Sequence, residues 1–327
     1  MNRTARTMRP TASPILIGIV AGLAAAILMA VSVYVPFIAQ LVAITLLFIA
    51  GLGFGRTAGI VAVVTTAVAL GALMSSPLGA VLFLVTLLPA AVMSQLASLA
   101  RPAVEIGGPE TSLAWYPLSD ILLAGAVLVA LATVFLLMLQ PLDAVYAVAV
   151  DEALTVIQEA NPTLVISPDT KVQAIALLKT FGPISQGIGN MVLLFAGFYL
   201  AMRILTGIGR NVRPREDMRA SLRMNRLSIA VFLAGVVLMF AGEKAAIIGA
   251  SFAGAMAGGY LLSGFAIIHN AVREKPWALP ALILVYLVTV IFPPLTIVIA
   301  IAGGLANPRR AIALTPAKPN QTSNNSN

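Results

Sequence analysis

Residues 14–33 read PILIGIVAGLAAAILMAVSV, a run without charge or strongly polar groups. A helix needs about 20 predominantly apolar residues to cross a hydrocarbon core of about 30 Å. Comparable blocks recur along the chain to Ala306. They are continuous apolar runs rather than ten-residue stretches of alternating polarity. Backbone groups in hydrocarbon must bond within their own segment, so such runs predict helices and not a barrel.

The composition agrees. The chain of 327 residues is 60% hydrophobic and only 10% charged, with mean hydropathy +0.99. A soluble domain carries about 25% charged residues. The expected fold is therefore all-α: a polytopic transmembrane helical bundle of about nine spans (8–10) with a helical periplasmic loop.

The spans are expected at about 14–33, 36–54, 57–73, 78–99, 119–139, 184–206, 227–242, 245–269 and 278–306. Residues 1–13 form an N-terminal tail, 14–306 the bundle, and 307–327 a disordered polar tail ending QTSNNSN. The N-terminus carries the basic residues of a signal peptide. The apolar block behind it is longer than a typical signal core of about 7–15 residues, so it reads as a retained first span. Residues 142–160 place apolar side chains at helical spacing, and Asn161-Pro162 ends that helix. A second loop helix is expected from Ser167-Pro168-Asp169 through about Thr180.

Charge sets the orientation. Arg3, Arg6 and Arg9 place the N-terminus in the cytoplasm. Segment 207–226 holds six arginines against Glu216 and Asp217 and falls inside. Segment 140–184 holds five acids against Lys171 and Lys179 and falls outside. The last block breaks the alternation, since a single crossing would put Arg309 and Arg310 outside. Pro293-Pro294 lies in its middle, where neither residue can donate to the helix. One kinked span and a hairpin both fit the sequence, and a break or sharp kink is expected in either case.

No chemistry of a familiar kind is written in the chain. It has no cysteine and one histidine, His269. That excludes thiolate, iron–sulfur and multi-histidine metal sites. The glycine strings lack the Lys-Ser/Thr of a phosphate loop. All twelve acids lie at loops or span edges, which argues against an enzyme; no cofactor is expected. The net charge of +8 sits in short loops beside the spans, where it marks topology and not nucleic acid.

Polar groups at membrane depth are costly and mark either a helix contact or a ligand site. The candidates are Gln40, Gln95, Gln186, Asn190 and Thr289. Gln186 and Asn190 are four apart and share one helix face, which is expected to point into the bundle. Thr289 and Thr296 flank the double proline. Gly18 and Gly22, Gly51 and Gly55, Gly55 and Gly59, and Gly254 and Gly258 have the spacing of close helix contacts. These serve packing within one chain or a homodimer seam. Glu243 and Lys244 mark an outer boundary, pairing with each other or reaching the head groups.

Two stretches carry a resemblance. Pro36 to Gly59 is a proline-led span with a glycine-rich end before Arg56-Thr57-Ala58-Gly59. Gly258 to His269 reads GGYLLSGFAIIH, followed by the proline-interrupted last block and Gly303-Gly304-Leu305. With the long loop in mid-chain, this layout resembles the YybS-like family of bacterial membrane proteins. The pattern departs at Ala306-Asn307-Pro308, where that family tends to have an aspartate and aromatics. The family looks distantly similar to the substrate-binding membrane subunits of energy-coupling-factor vitamin transporters. The resemblance implies small-molecule binding or transport in a bacterial inner membrane. It supplies no site residues. Movement of a substrate would then call for an ATPase or coupling subunit as partner. The alternative is a scaffold or assembly factor acting through its arginine loop or glycine faces.

Overall fold

The computed structural model describes residues 13–31, 36–163, 167–210, 213–214, 216–305 and 312–316. Each of the nine apolar blocks is helical over most of its described residues, but the helix of the seventh ends at Leu238 and the ninth is interrupted at Phe292. Twelve helices are described: α1 (Pro14–Val31), α2 (Pro36–Phe54), α3 (Arg56–Leu73), α4 (Pro77–Ala97), α5 (Leu118–Met138), α6 (Leu142–Ala160), α7 (Pro168–Gly207), α8 (Met218–Ser221), α9 (Leu227–Leu238), α10 (Glu243–Ala271), α11 (Ala278–Ile291) and α12 (Pro293–Leu305). Seven are long and apolar enough to cross a membrane, and the bent pair α11–α12 would make an eighth. The apolar α9 is shorter, at 12 residues. Their outward faces are apolar, with Val237 70% and Val290 80% exposed.

The chain forms two compact units, 1–98 with 196–213, and 99–195 with 214–327. In the first, α1 and α3 pack through small residues. A Cβ at Gly18 would lie 2.7 Å from the Ala58 carbonyl oxygen, and one at Gly22 would lie 2.6 Å from that of Ala62. The Thr66 hydroxyl, on α3, donates to the Gly22 carbonyl at 3.0 Å. Gly51 of α2 meets Ser94 of α4 and Gly59 of α3. Gly55 is the single residue between α2 and α3, with φ at 93°, a conformation that favours glycine. Ser76 caps α4 by accepting from the Gly79 amide at 2.9 Å.

In the second unit α10 is the centre, packed by α5, α9 and α12. Glycines again set the approach. Gly235 of α9 faces Gly249 of α10, Gly254 faces Ile184 of α7, and Gly264 faces Ile299 of α12. Apart from Gly55, the spaced glycines thus pack against helices of their own chain.

Three features correct the sequence reading. The loop helix expected to end near Thr180 does not end. It continues through Pro183 into the following span as one helix of 40 residues. At about 1.5 Å per residue that is about 60 Å, twice a hydrocarbon core. Lys171 and Lys179, on its first half, pair with Asp151 (2.6 Å) and Asp143 of α6, so the two helices form a hairpin. A Cβ at Gly182 would lie 2.9 Å from the Tyr146 hydroxyl, which closes the same contact.

Secondly, part of the tail is ordered against the loop after α4. Strands β1 (Ala100–Pro102), β2 (Ser112–Trp115) and β3 (Leu314–Pro316) form a small antiparallel sheet in the order β1-β2-β3. In the register Leu113 faces Thr315. Residues 314–316 therefore depart from the expected disordered tail; 317–327 lie outside the described residues.

Thirdly, Glu243 does not pair with its neighbour Lys244. It faces Lys179, its Oε1 3.9 Å from Nζ.

The expected break at the double proline is present. Helix α11 ends at Ile291, Phe292 leaves the helical region (φ −122°, ψ 84°), and α12 begins at Pro293. The two helices are bent by 116°.

Candidate functional site

An apolar cavity of about 440 Å³ opens in the second unit between α7, α9, α10 and α12. Ligand pockets fall in the range of about 300–1,000 Å³. Helical spacing builds each wall. Ile184 and Ile188 lie one turn apart on α7. Ile229, Phe232 and Val236 recur along one face of α9 with Met239 just past its end, and Ala253, Ala257, Tyr260 and Leu261 along one face of α10. The fourth wall is α12, with Thr296, Ile297, Ala300, Ile301 and Gly304. The break after Ile291 turns the chain so that α12 packs back on α10. Small residues at 253, 257, 300 and 304 leave the space open. A Cβ at Gly304 would lie 3.3 Å from the Tyr260 ring.

Tyr260 is the one large amphipathic side chain on the wall. Its ring meets Phe232 edge to face, with centroids 5.7 Å apart. Its hydroxyl is engaged in a chain of polar contacts, donating to Ser228 Oγ at 3.0 Å. Ser228 donates to the Asn225 carbonyl at 2.5 Å, and the Asn225 amide donates to the Asp120 carboxylate at the start of α5. The hydroxyl is thus satisfied within the protein, and the cavity meets mainly the ring. Among the remaining wall residues only Thr296 carries a polar side chain. The wall holds no carboxylate, imidazole or amine, so it offers a ligand shape and apolar contact but no acid–base or nucleophilic chemistry. Among the described residues no group of three acids or histidines is placed to hold a metal.

The five sequence candidates lie elsewhere. Gln40 is exposed on α2 and Gln95 is half-buried on α4, both in the first unit. Gln186 and Asn190 are half-buried on α7. Each is two residues from a cavity isoleucine, about 200° around the helix, so their face is turned away from the cavity. Thr289 is half-buried on α11, and its hydroxyl donates to the Val285 carbonyl of its own helix at 2.7 Å. Thr296, across the break, does line the cavity.

His269 has a structural role. Its Nδ1 meets the Phe265 carbonyl at 2.8 Å, and its ring lies edge-on to Tyr286 of α11. Tyr286 also stacks on Phe265, with centroids 5.0 Å apart. The arginine-rich loop folds partly on the chain itself. Arg210 lies over the Phe54 ring at 4.8 Å, Arg213 is buried, and Asp217 both caps α8 and accepts from Arg273 at 2.7 Å. Arg215 lies outside the described residues.

Long apolar helices, lipid-compatible outer faces and an interior held by glycine and alanine contacts define a polytopic α-helical membrane protein. The family model "Predicted membrane protein (DUF2232)" matches residues 23–305, and the chain belongs to that family. No curated protein and no solved structure matches it.

Proposed function

We propose that this protein binds an apolar small molecule within a bacterial inner membrane and performs no catalysis of its own. The observation that carries this reading is the apolar cavity walled by the broken final block. Interrupted helices build binding sites in many transporters, because the break frees space and backbone at membrane depth. The resemblance of Pro36–Gly59 and Gly258–His269 to the YybS-like family points the same way.

The reading includes a topology. Strand β3 pairs with β2, so the tail and the loop after α4 share one side of the membrane. Of the helices between them, α5, α7, α9 and α10 are read as full crossings. Although short at 12 residues, α9 counts as a crossing because its two ends meet the two ends of α5. Its Ser228 end joins Asn225 and Asp120 at the start of α5, and its Met239 end lies in a second cavity with Leu142, just past the end of α5. Four crossings return the chain to the side it left. The last block must then enter and come back, which a bend of 116° allows. With the basic loops inside, the sheet is cytoplasmic and α6 periplasmic. Energised transport of the ligand would use a partner ATPase or an ion gradient.

Native mass spectrometry of the chain purified in mild detergent tests the binding. Wild-type protein should carry an apolar or amphiphilic mass that an Ala257→Trp variant, its cavity filled, loses. Identical spectra from both would overturn the reading.

A further inference from the structure

We infer that the ligand is a single-chain amphiphile with a zwitterionic head group, its hydrocarbon chain in the apolar cavity and its head at Lys179 and Glu243. This rests on the binding reading above and adds the chemical class. A second cavity of about 210 Å³ lies at the α6 end of the same unit, lined by Lys179, Thr180, Glu243 and Ala246 among others. Met239 lines both cavities. The apolar space runs along α9 from Ile229 to Met239, about 15 Å at the helical rise. Asp120, at the other end, is already held by Asn225, whereas at its Met239 end the space adjoins a cavity lined by the charged side chains of Lys179 and Glu243. A purely apolar ligand would have no use for that end; a chain with a polar head would match both.

The charges there narrow the head. Lys179 lies between the carboxylates of Asp143 and Glu243. A head that is only anionic meets two carboxylates, and one that is only cationic meets Lys179. A head with both charges can set its acid on Lys179 and its ammonium on the carboxylates. The existing pairs are exposed and contribute little, so exchanging them for a ligand costs little. Met239, flexible and unbranched, is suited to shift at the passage between head and chain.

The test uses the full chain in lipid nanodiscs and two photoreactive probes with a diazirine at the chain end. One is lysophosphatidylethanolamine; the other is a headless alkane of equal length. The lipid probe should label α9 and α12. Labelling should fall by about fivefold or more in Lys179→Gln and in Met239→Trp. The alkane should label wild type and Lys179→Gln equally, which also reports that the variant is folded. Lysophosphatidic acid and an alkyltrimethylammonium should each compete less well than lysophosphatidylethanolamine. If the alkane labels the cavity while lipid labelling ignores Lys179→Gln, the zwitterionic head is wrong and the cavity reading stands. If neither probe labels α9 or α12, both readings fall.

Discussion

Trp115 Nε1 donates to Thr315 Oγ1 at 2.8 Å, joining the loop after α4 to a segment 200 residues later in the chain. In the proposed topology, this contact and the strand pairing around it put the loop after α4 and the 314–316 segment on one side of the membrane. The chain lacks cysteine, so single cysteines report sidedness without background. Glu110→Cys and Leu314→Cys should both resist an impermeant thiol reagent in intact cells, while Ala160→Cys reacts. Reaction of Leu314→Cys alongside protection of Glu110→Cys would refute the re-entrant last block.

The same contact should hold β3 in place. Trp115 is buried, and Trp115→Phe removes its donor but keeps a ring. The expected cost is about 1–2 kcal/mol. Hydrogen exchange should accelerate in the 312–316 segment and in β2, with little change in α10. Unchanged exchange in both strands would remove the sheet from the account.

Close helix contact in the first unit gives a third expectation. Gly22→Val would drive a side chain into the Ala62 carbonyl and Thr65, and overpacking of this kind costs about 1–3 kcal/mol. Thermal stability in detergent should drop accordingly. Gly189 has nothing within 4 Å of an added Cβ, so Gly189→Ala should leave stability unchanged or raise it. Equal effects from the two would show that glycine packing is not what holds α1 on α3.

Thr133, on α5, has a fully buried hydroxyl with no hydrogen-bond partner. Thr133→Val keeps the shape and removes an unsatisfied group. Stability should rise by up to about 1 kcal/mol, or at least not fall. A clear loss would mean that the hydroxyl has a partner when the protein sits in its membrane.

The helices were legible because hydrocarbon demands unbroken apolar runs, and α2 falls at its expected boundaries. Elsewhere the local signals misled. The loop helix expected to end near Thr180 instead runs on through Pro183 as α7. A three-residue strand at Leu314 has no periodicity to detect. The cavity was hidden for a deeper reason. Its walls are isoleucine, leucine, alanine and phenylalanine, the same residues that face lipid. Only packing in three dimensions separates Phe232 on the cavity from Phe240 on the outer surface. The polar residues that sequence reasoning favours pointed elsewhere, since Gln186 and Asn190 share a face turned from Ile184 and Ile188. The break expected at the double proline is where the chain bends by 116°, and α12 beyond it lines the cavity.

The most direct test of the cavity is an experimental structure of the full chain in a lipidic environment. Continuous non-protein density should run between α9 and α12, from the Tyr260 ring to Met239. Phe232 and Thr296 packed onto Ala253 and Ala257, with the space closed, would contradict the central claim.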